Sequence, residues 1–173
     1  MAAHYTHTMA TMKIDSLSSI DKRKLLDLYT AHLELKLATL YREISVIEPG
    51  DPNHYNDLEA RLRLEASSAE ESLKAVRKID TIPPGPSDRV ADLSLVEVEQ
   101  VNRQKASAYF FVPASDGPET RLKYDGVSII VCSRAHRLFG QKVGFTFESH
   151  GAVDERTNTT FNTPRRHKIT RIL

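Results

Sequence analysis

The chain has 173 residues, 40% apolar and 27% charged, with a formal net charge of +1, the profile of a globular protein with one large or two small domains. So balanced a charge gives no bulk signal for nucleic acid or an anionic membrane, and the single cysteine, Cys132, excludes a disulfide framework and a thiolate metal cage. No apolar run approaches the roughly 18–20 residues of a membrane span, and the first dozen or so residues lack the apolar stretch of a secretory signal, so a reducing cytoplasm is the expected compartment.

The charges are unevenly placed. Residues 1–82 carry 11 Lys/Arg and 13 Asp/Glu, whereas residues 83–173 carry 13 and 10. That split reads as an acidic arm on a mildly basic body. Residues 1–14 read as a disordered lead-in, with His4 and His7 as parts of a frayed terminus rather than metal ligands.

Asp15, Ser16, Ser18 and Ser19 then offer helix caps. Leu26, Thr30, Leu33, Leu37, Leu40, Ile44 and Ile47 follow in alternating steps of four and three, a heptad seam. Leu25, Leu28 and Leu35 widen it. Pro49, Gly50 and Pro52 stop this helix, because proline removes donors and glycine permits reversal. A second helical seam follows in Tyr55, Leu58, Leu62, Ala66, Ala69, Leu73 and Val76, whose small residues permit close approach. The two patterns predict an antiparallel helical hairpin over residues 15–82, with an acidic tip at 48–55.

The proline-rich stretch at 83–87 reads as a linker. Beyond it, over 88–173, the texture is that of strands. A first is expected around Leu93–Val101, a second at Ala106–Val112, and a third at Arg121–Tyr124. Asp125-Gly126 marks a hairpin turn before the apolar run Val127–Val131. Ser133–Phe139 reads as one or two helical turns between an N-cap serine and Gly140. Val143–Glu148 alternates as a strand, 149–165 reads as a long mobile loop, and His167–Ile172 closes the chain as a strand. The fold class expected is α+β: a helical hairpin followed by a small antiparallel sheet domain with one short helix.

Of the residues able to carry chemistry, Cys132 reads as a small core group and His136 as a surface or packing residue without an acid to make it a base. Arg134, Arg137, Lys142, Arg165, Arg166, Lys168 and Arg171 form a basic set, read as solvated surface. No nucleophile elbow or phosphate loop is present.

The segment Ser133-Arg-Ala-His-Arg-Leu-Phe-Gly140-Gln-Lys-Val-Gly144, followed by a strand and a terminal Lys168-Ile-Thr-Arg-Ile-Leu, resembles the C-terminal domain of the Gre transcription factors. Ala135, Leu138, Gly140, Lys142, Val143 and Gly144 carry the likeness, and the order of parts agrees over most of residues 15–173. The resemblance implies an FKBP-like domain that docks on RNA polymerase beside its secondary channel, and a coiled-coil hairpin that enters the channel. The positions matching the family's polymerase contact are Cys132, Ser133 and Arg134, the last standing where the family has proline. In cleavage-active members two tip carboxylates help hold a magnesium ion at the polymerase active site, where hard oxygen ligands suit it. Aligned on Tyr55, this chain offers Glu48 and Asp51 at the family's spacing with the two acids exchanged. Aligned on Gly50-Asp51, it instead sets His54 opposite the second acid. Pro49 and Pro52 alter the backbone that must aim these groups.

The resemblance thus implies a regulator that is not itself an enzyme. Its partner is RNA polymerase, and nascent RNA is met only indirectly in the channel. It has no cofactor beyond a magnesium shared through Glu48 and Asp51, no membrane association, and a monomeric state. Three alternatives stand beside it: a true transcript-cleavage factor using those acids, a peptidyl-prolyl isomerase, and a self-associating coiled-coil adaptor.

Overall fold

The computed structural model describes residues 14–47, 55–83, 86–101, 105–115, 120–149, 153–154, 159–160 and 164–173. Ile14–Ser19 forms a 3-10 turn that runs into helix α1, Lys22–Ser45. The cap is Asp21, whose carboxylate accepts from the backbone N–H groups of Arg23 at 2.9 Å and Lys24 at 3.3 Å. These are donors that a first helical turn leaves unpaired. The upstream serines, expected as caps, belong to the 3-10 turn instead. The lead-in before Ile14 lies outside the described residues.

Helix α2, Tyr55–Arg77, packs along α1. Arg23 donates to the Ile79 carbonyl at 3.2 Å, Arg77 pairs with Glu34 at 2.7 Å, and the Tyr41 hydroxyl donates to Glu70. Residue numbers rise on one side of these pairs as they fall on the other, so the helices run antiparallel. Their buried seams are Leu26, Leu33, Leu37 and Leu40 against Leu62, Ala66, Ala69, Leu73 and Val76. This is the spacing the sequence shows. The widening residues separate: Leu25 is fully buried near the base, whereas Leu28 is 42% and Leu35 70% exposed. Tyr29, outside the expected seam, is also fully buried. No helix among the described residues is long and apolar enough to cross a membrane.

The second half forms a six-stranded sheet from β1 (Leu95–Gln100), β2 (Lys105–Phe111), β3 (Thr120–Tyr124), β4 (Val127–Cys132), β5 (Thr146–Ser149) and β8 (Arg165–Ile172), in the order β3-β4-β2-β1-β8-β5. Two further strands, β6 (Val153–Asp154) and β7 (Thr159–Thr160), pair as a separate ribbon within the stretch expected to be a loop. The sheet is mixed rather than antiparallel throughout: β2 and β4 run parallel, with Ala108 opposite Ile129 and Phe110 opposite Val131. The reason is the β3–β4 hairpin. Asp125 and Gly126 have φ of +46° and +80°, the pair of left-handed residues a type I′ turn requires. The hairpin docks on β2 through its second strand, which leaves β3 at the edge.

Alternating residues of the central strands enter two cores. Leu95, Ala108, Phe110, Val112, Ile129 and Val131 join Leu17, Leu25, Leu26 and Tyr29 under the helices. Val96, Val98, Phe111, Ile130, Cys132, Ile169 and Ile172 face the opposite side, where Val90 and Leu138 cover them. A strand covered on both faces reads as a continuous apolar run, which is why Ile129, Ile130, Val131 and Cys132 follow one another without alternation.

The helical turns expected at Ser133–Phe139 are absent. The segment is a series of tight turns, with His136 N–H donating to Ser133 O at 3.1 Å, Phe139 to His136 at 2.9 Å and Gln141 to Leu138 at 3.1 Å. Too few residues lie between Cys132 and Gly140 to repay helix nucleation. The strap is instead tied to the chain ahead of β1, by Gly140 N–H to Val90 O and Val90 N–H to Gln141 O, each 2.8 Å.

The two-sided seam sets a stability contrast. Leu33→Ala is expected to cost about 2–5 kcal/mol through lost burial and a residual cavity, while Leu35→Ala, two residues along and exposed, should change stability by about 0.5 kcal/mol or less. Urea unfolding followed by far-UV circular dichroism measures both.

Candidate functional site

The tip acids Glu48 and Asp51, with Pro49, Gly50, Pro52 and His54, lie outside the described residues. What is described is where the helix before them ends. The N–H groups of Val46 and Ile47 donate to Glu43 and Ile44 carbonyls at 3.3 Å, tightening the last turn of α1. In the sequence both acids lie between the end of α1 and Tyr55, where α2 opens. Among the described residues no group of three or more His, Cys, Asp or Glu is arranged to hold a metal ion.

The second predicted site, Cys132-Ser133-Arg134, divides by depth. Cys132 ends β4 and is fully buried on the strap-covered face, so its thiol is a core group. Ser133 is half-buried, and its Oγ accepts from the Ala135 N–H at 3.4 Å. Arg134 is exposed and held. Its Nε donates to Asp92 Oδ1 at 2.9 Å and Oδ2 at 3.0 Å, and its Nη2 donates to Oδ2 as well. This side-on fork is the strong, planar form of an arginine–carboxylate pair. The Asp92 carboxylate, by hydrogen bond first and charge second, raises the Arg134 pKa further above its ordinary value.

Asp92 is presented by a tight turn just before β1. Ser94 N–H donates to Ala91 O at 3.1 Å, and Ser94 Oγ accepts from Ala91 N–H at 3.0 Å. The turn places buried Leu93 at φ +64°, a left-handed conformation that a leucine adopts only under constraint. The constraint is visible: Leu93 N–H donates to Phe111 O at 2.7 Å, and Phe111 N–H to Ser94 O at 3.0 Å. Nothing in the spacing of Asp92 and Arg134, 42 residues apart, announces this pair.

The basic set does not form one face. Arg134 faces Asp92, and Arg171 donates to Ser18 Oγ at 2.6 Å on the helix side of the sheet. On β8, Arg166 and Lys168 sit opposite Glu148 and Thr146, whereas Arg165 and His167 sit opposite Ser149 and Phe147. Strand alternation puts these two pairs on opposite faces. Around His167 is an aromatic stack that sequence reasoning missed. Its ring lies 5.0 Å from Phe147 at an interplanar angle of 14°, and the Arg137 guanidinium lies 4.5 Å from the Phe147 centroid. His136 packs similarly, 5.7 Å from Tyr109 and 5.9 Å from Phe111.

Glu97 is the other residue missed. It lies in β1 and is only 4% exposed. Across the ladder the partner of β1 jumps from Ile169 to Arg171, and the skipped residue, Thr170, donates its hydroxyl to Glu97 Oε1 at 2.9 Å. A bulge that re-aims one side chain is a recurrent use of such an irregularity. Among the described residues Glu97 Oε2, which is buried, has no hydrogen-bond partner.

His167 has its pKa lowered, by burial first and then by the charges of Arg137 and Arg165. A histidine depressed in the folded state makes the unfolded state bind more protons as pH falls below its ordinary value near 6.5. Its contribution to stability is therefore present at neutral pH and lost on acidification below about 6.5. Urea midpoints measured between neutrality and mild acid should fall for the native chain, and His167→Gln should flatten that part of the profile.

No protein-family model and no curated protein matches the chain. Among solved structures it is similar to the crystal structure of GreA factor homolog 1 (Gfh1) of Thermus thermophilus, at 14% identity and a TM-score of 0.32, over 87% of this chain and 93% of that one. It is likewise similar to a structure of the transcription factor Gfh1, at 14% identity and a TM-score of 0.34 over 86% and 91% of the two chains. With Gfh1 of Thermus aquaticus the figures are 15% and 0.33, over 87% and 93%.

Proposed function

We propose that this chain regulates transcription elongation as a Gre-like factor, docking on RNA polymerase through its sheet domain and presenting the far end of its helix pair to the polymerase channel. The observation that supports this reading is the union of two features. Ala135, Leu138, Gly140, Val143 and Gly144 of the Gre-like motif lie in or just after the strap over one sheet face, and two antiparallel helices stand over the other face. In this reading Ser133 and Arg134 make the docking contact, and Cys132 supports them from the core. The Asp92 fork occupies Nε and Nη2 of Arg134, which leaves Nη1 to meet an acceptor on the polymerase.

The protein acts as a non-cleaving modulator and not as an enzyme. The polymerase holds its own metals, and the tip acids Glu48 and Asp51 bear on chemistry only if they supply oxygen ligands to a shared magnesium. One assay separates the roles. Binding to the cognate polymerase is measured for the native chain and for Arg134→Glu, which should bind about tenfold more weakly because a favourable charge contact becomes a repulsive one. RNA cleavage in backtracked complexes is then followed with the native chain, Glu48→Ala and Asp51→Ala. No stimulated cleavage is expected. Absence of polymerase binding overturns the proposal, while cleavage lost in either alanine variant assigns the chain to the cleavage factors.

A second reading, self-association through α1, draws on the exposure of Leu28 and Leu35 on one side of that helix. Sedimentation equilibrium decides it. A monomer is expected, and a dimer dissociated by Leu35→Glu favours the adaptor.

A further inference from the structure

We propose that Arg137, Ser149, Arg165 and His167 form a phosphate-binding site at the β5 edge of the sheet. The site stands whether or not the chain binds a polymerase, since it uses neither Arg134 nor the helix pair.

Four donors converge there from three segments. Ser149 and Arg165 are directly opposed in the β5–β8 ladder, and Phe147 and His167 are the next same-face pair. Ser149 Oγ lies 2.8 Å from His167 Nε2, so hydroxyl and imidazole already share one position. Arg137 arrives from the strap. One of its N–H groups is fixed on the Glu148 carbonyl at 3.1 Å, and its guanidinium plane is steadied over Phe147 at 4.5 Å. A guanidinium has five donors, so this anchoring orients Arg137 without exhausting it. Arg165 is exposed beside the pair.

Among the described residues no carboxylate shares this face of the ladder. From β1 the neighbour of His167 is Gln100, which is neutral. Glu148 lies on the other face, opposite Arg166. Two arginines thus stand near a histidine whose protonation they oppose. An anion placed among them relieves that repulsion, and it gains N–H groups from two guanidiniums and the Ser149 O–H, which is left to donate outward when His167 Nε2–H donates to Ser149 Oγ. Such a donor set suits a phosphate group better than a carboxylate. Phosphate offers three acceptor oxygens in three dimensions and a charge near −2, enough to offset both arginines. A carboxylate offers two coplanar oxygens and a single charge. The phosphate can belong to a free ion or to a terminal monoester on a nucleotide or oligonucleotide, since both present the same near-dianionic group; a backbone phosphodiester, with two unbridged oxygens and one charge, does not.

The test follows the His167 ring signals by NMR while inorganic phosphate is added, with sodium acetate at matched ionic strength as the comparison. Phosphate should shift His167 saturably and raise its pKa, and acetate should do neither. Arg165→Gln should weaken phosphate binding about tenfold, and Arg165→Lys by less, because the planar fork is lost while the charge remains. Ser149→Ala, which spares every charge, should weaken it by about threefold. A parallel arm uses oligothymidylate with and without a 5′-phosphate. If only the phosphorylated strand binds and inorganic phosphate displaces it, a terminal monoester is a source. If only inorganic phosphate binds, the site serves a free ion; either result upholds the site, whereas equal binding of the two strands overturns it. The proposal fails if phosphate moves His167 no more than acetate does, or if Arg165→Gln leaves binding unchanged.

Discussion

Burial of both faces of the central strands is the constraint on which the rest of this structure depends. Leu95, Phe110 and Val131 can leave water only under the bases of the helices, and Val96, Phe111 and Cys132 only under the strap. The chain must therefore bring an N-terminal helical cover to one face and a later irregular cover to the other. The helix pair gains an anchor from this arrangement. Two long antiparallel helices bury little for their length, but here Leu17, Leu25 and Tyr29 continue their seam into the sheet's own core. The strap gains in turn. A run of tight turns, bonded only locally within itself, is held to the sheet by Val90 and by Leu138, which is fully buried.

Much of this was legible in the residues, and the limits have physical causes. The helical seams could be read because a step of three or four is the same wherever the partner lies. Strand positions were also near their places, and the Asp125-Gly126 turn was marked by residue types that tolerate left-handed backbone. The parallel pairing of β2 and β4 was not legible, because local spacing says which segments are strands but not which edge a hairpin presents to its neighbour. The strap was misread as helix because Ser133 and Gly140 are common helix bounds. Its hydrogen bonds to Val90, more than forty residues earlier, decided otherwise.

The candidate sites show the same division. The Cys132-Ser133-Arg134 segment came from a resemblance, but the Asp92 partner of Arg134 could come only from the fold. Glu97 illustrates a sharper limit. In the sequence it alternates with Val96 and Val98 and looks like an outward-facing residue of a half-exposed strand. Alternation names the opposite face without saying whether that face is wet. Here it is covered, and an acid in such a place is held by the hydroxyl of a bulged threonine. His167 and Phe147 likewise look unremarkable until the ladder sets them opposite one another.

The position of β8 between β1 and β5 has a consequence for the order in which the sheet assembles. Among the described residues β5 has no ladder partner other than β8, although it is made earlier in the chain. During synthesis it must wait, unpaired, for the closing residues to appear. Over the same interval the outer edge of β1 stands open, and unpaired strand edges invite pairing with other chains. The helices with β1 to β4 can form a first unit through nearer contacts, but a late insertion completes the sheet from its interior. Contacts this distant in sequence form slowly, so arrival of the last strand should be the slow step of folding and the interval before it the one most exposed to aggregation.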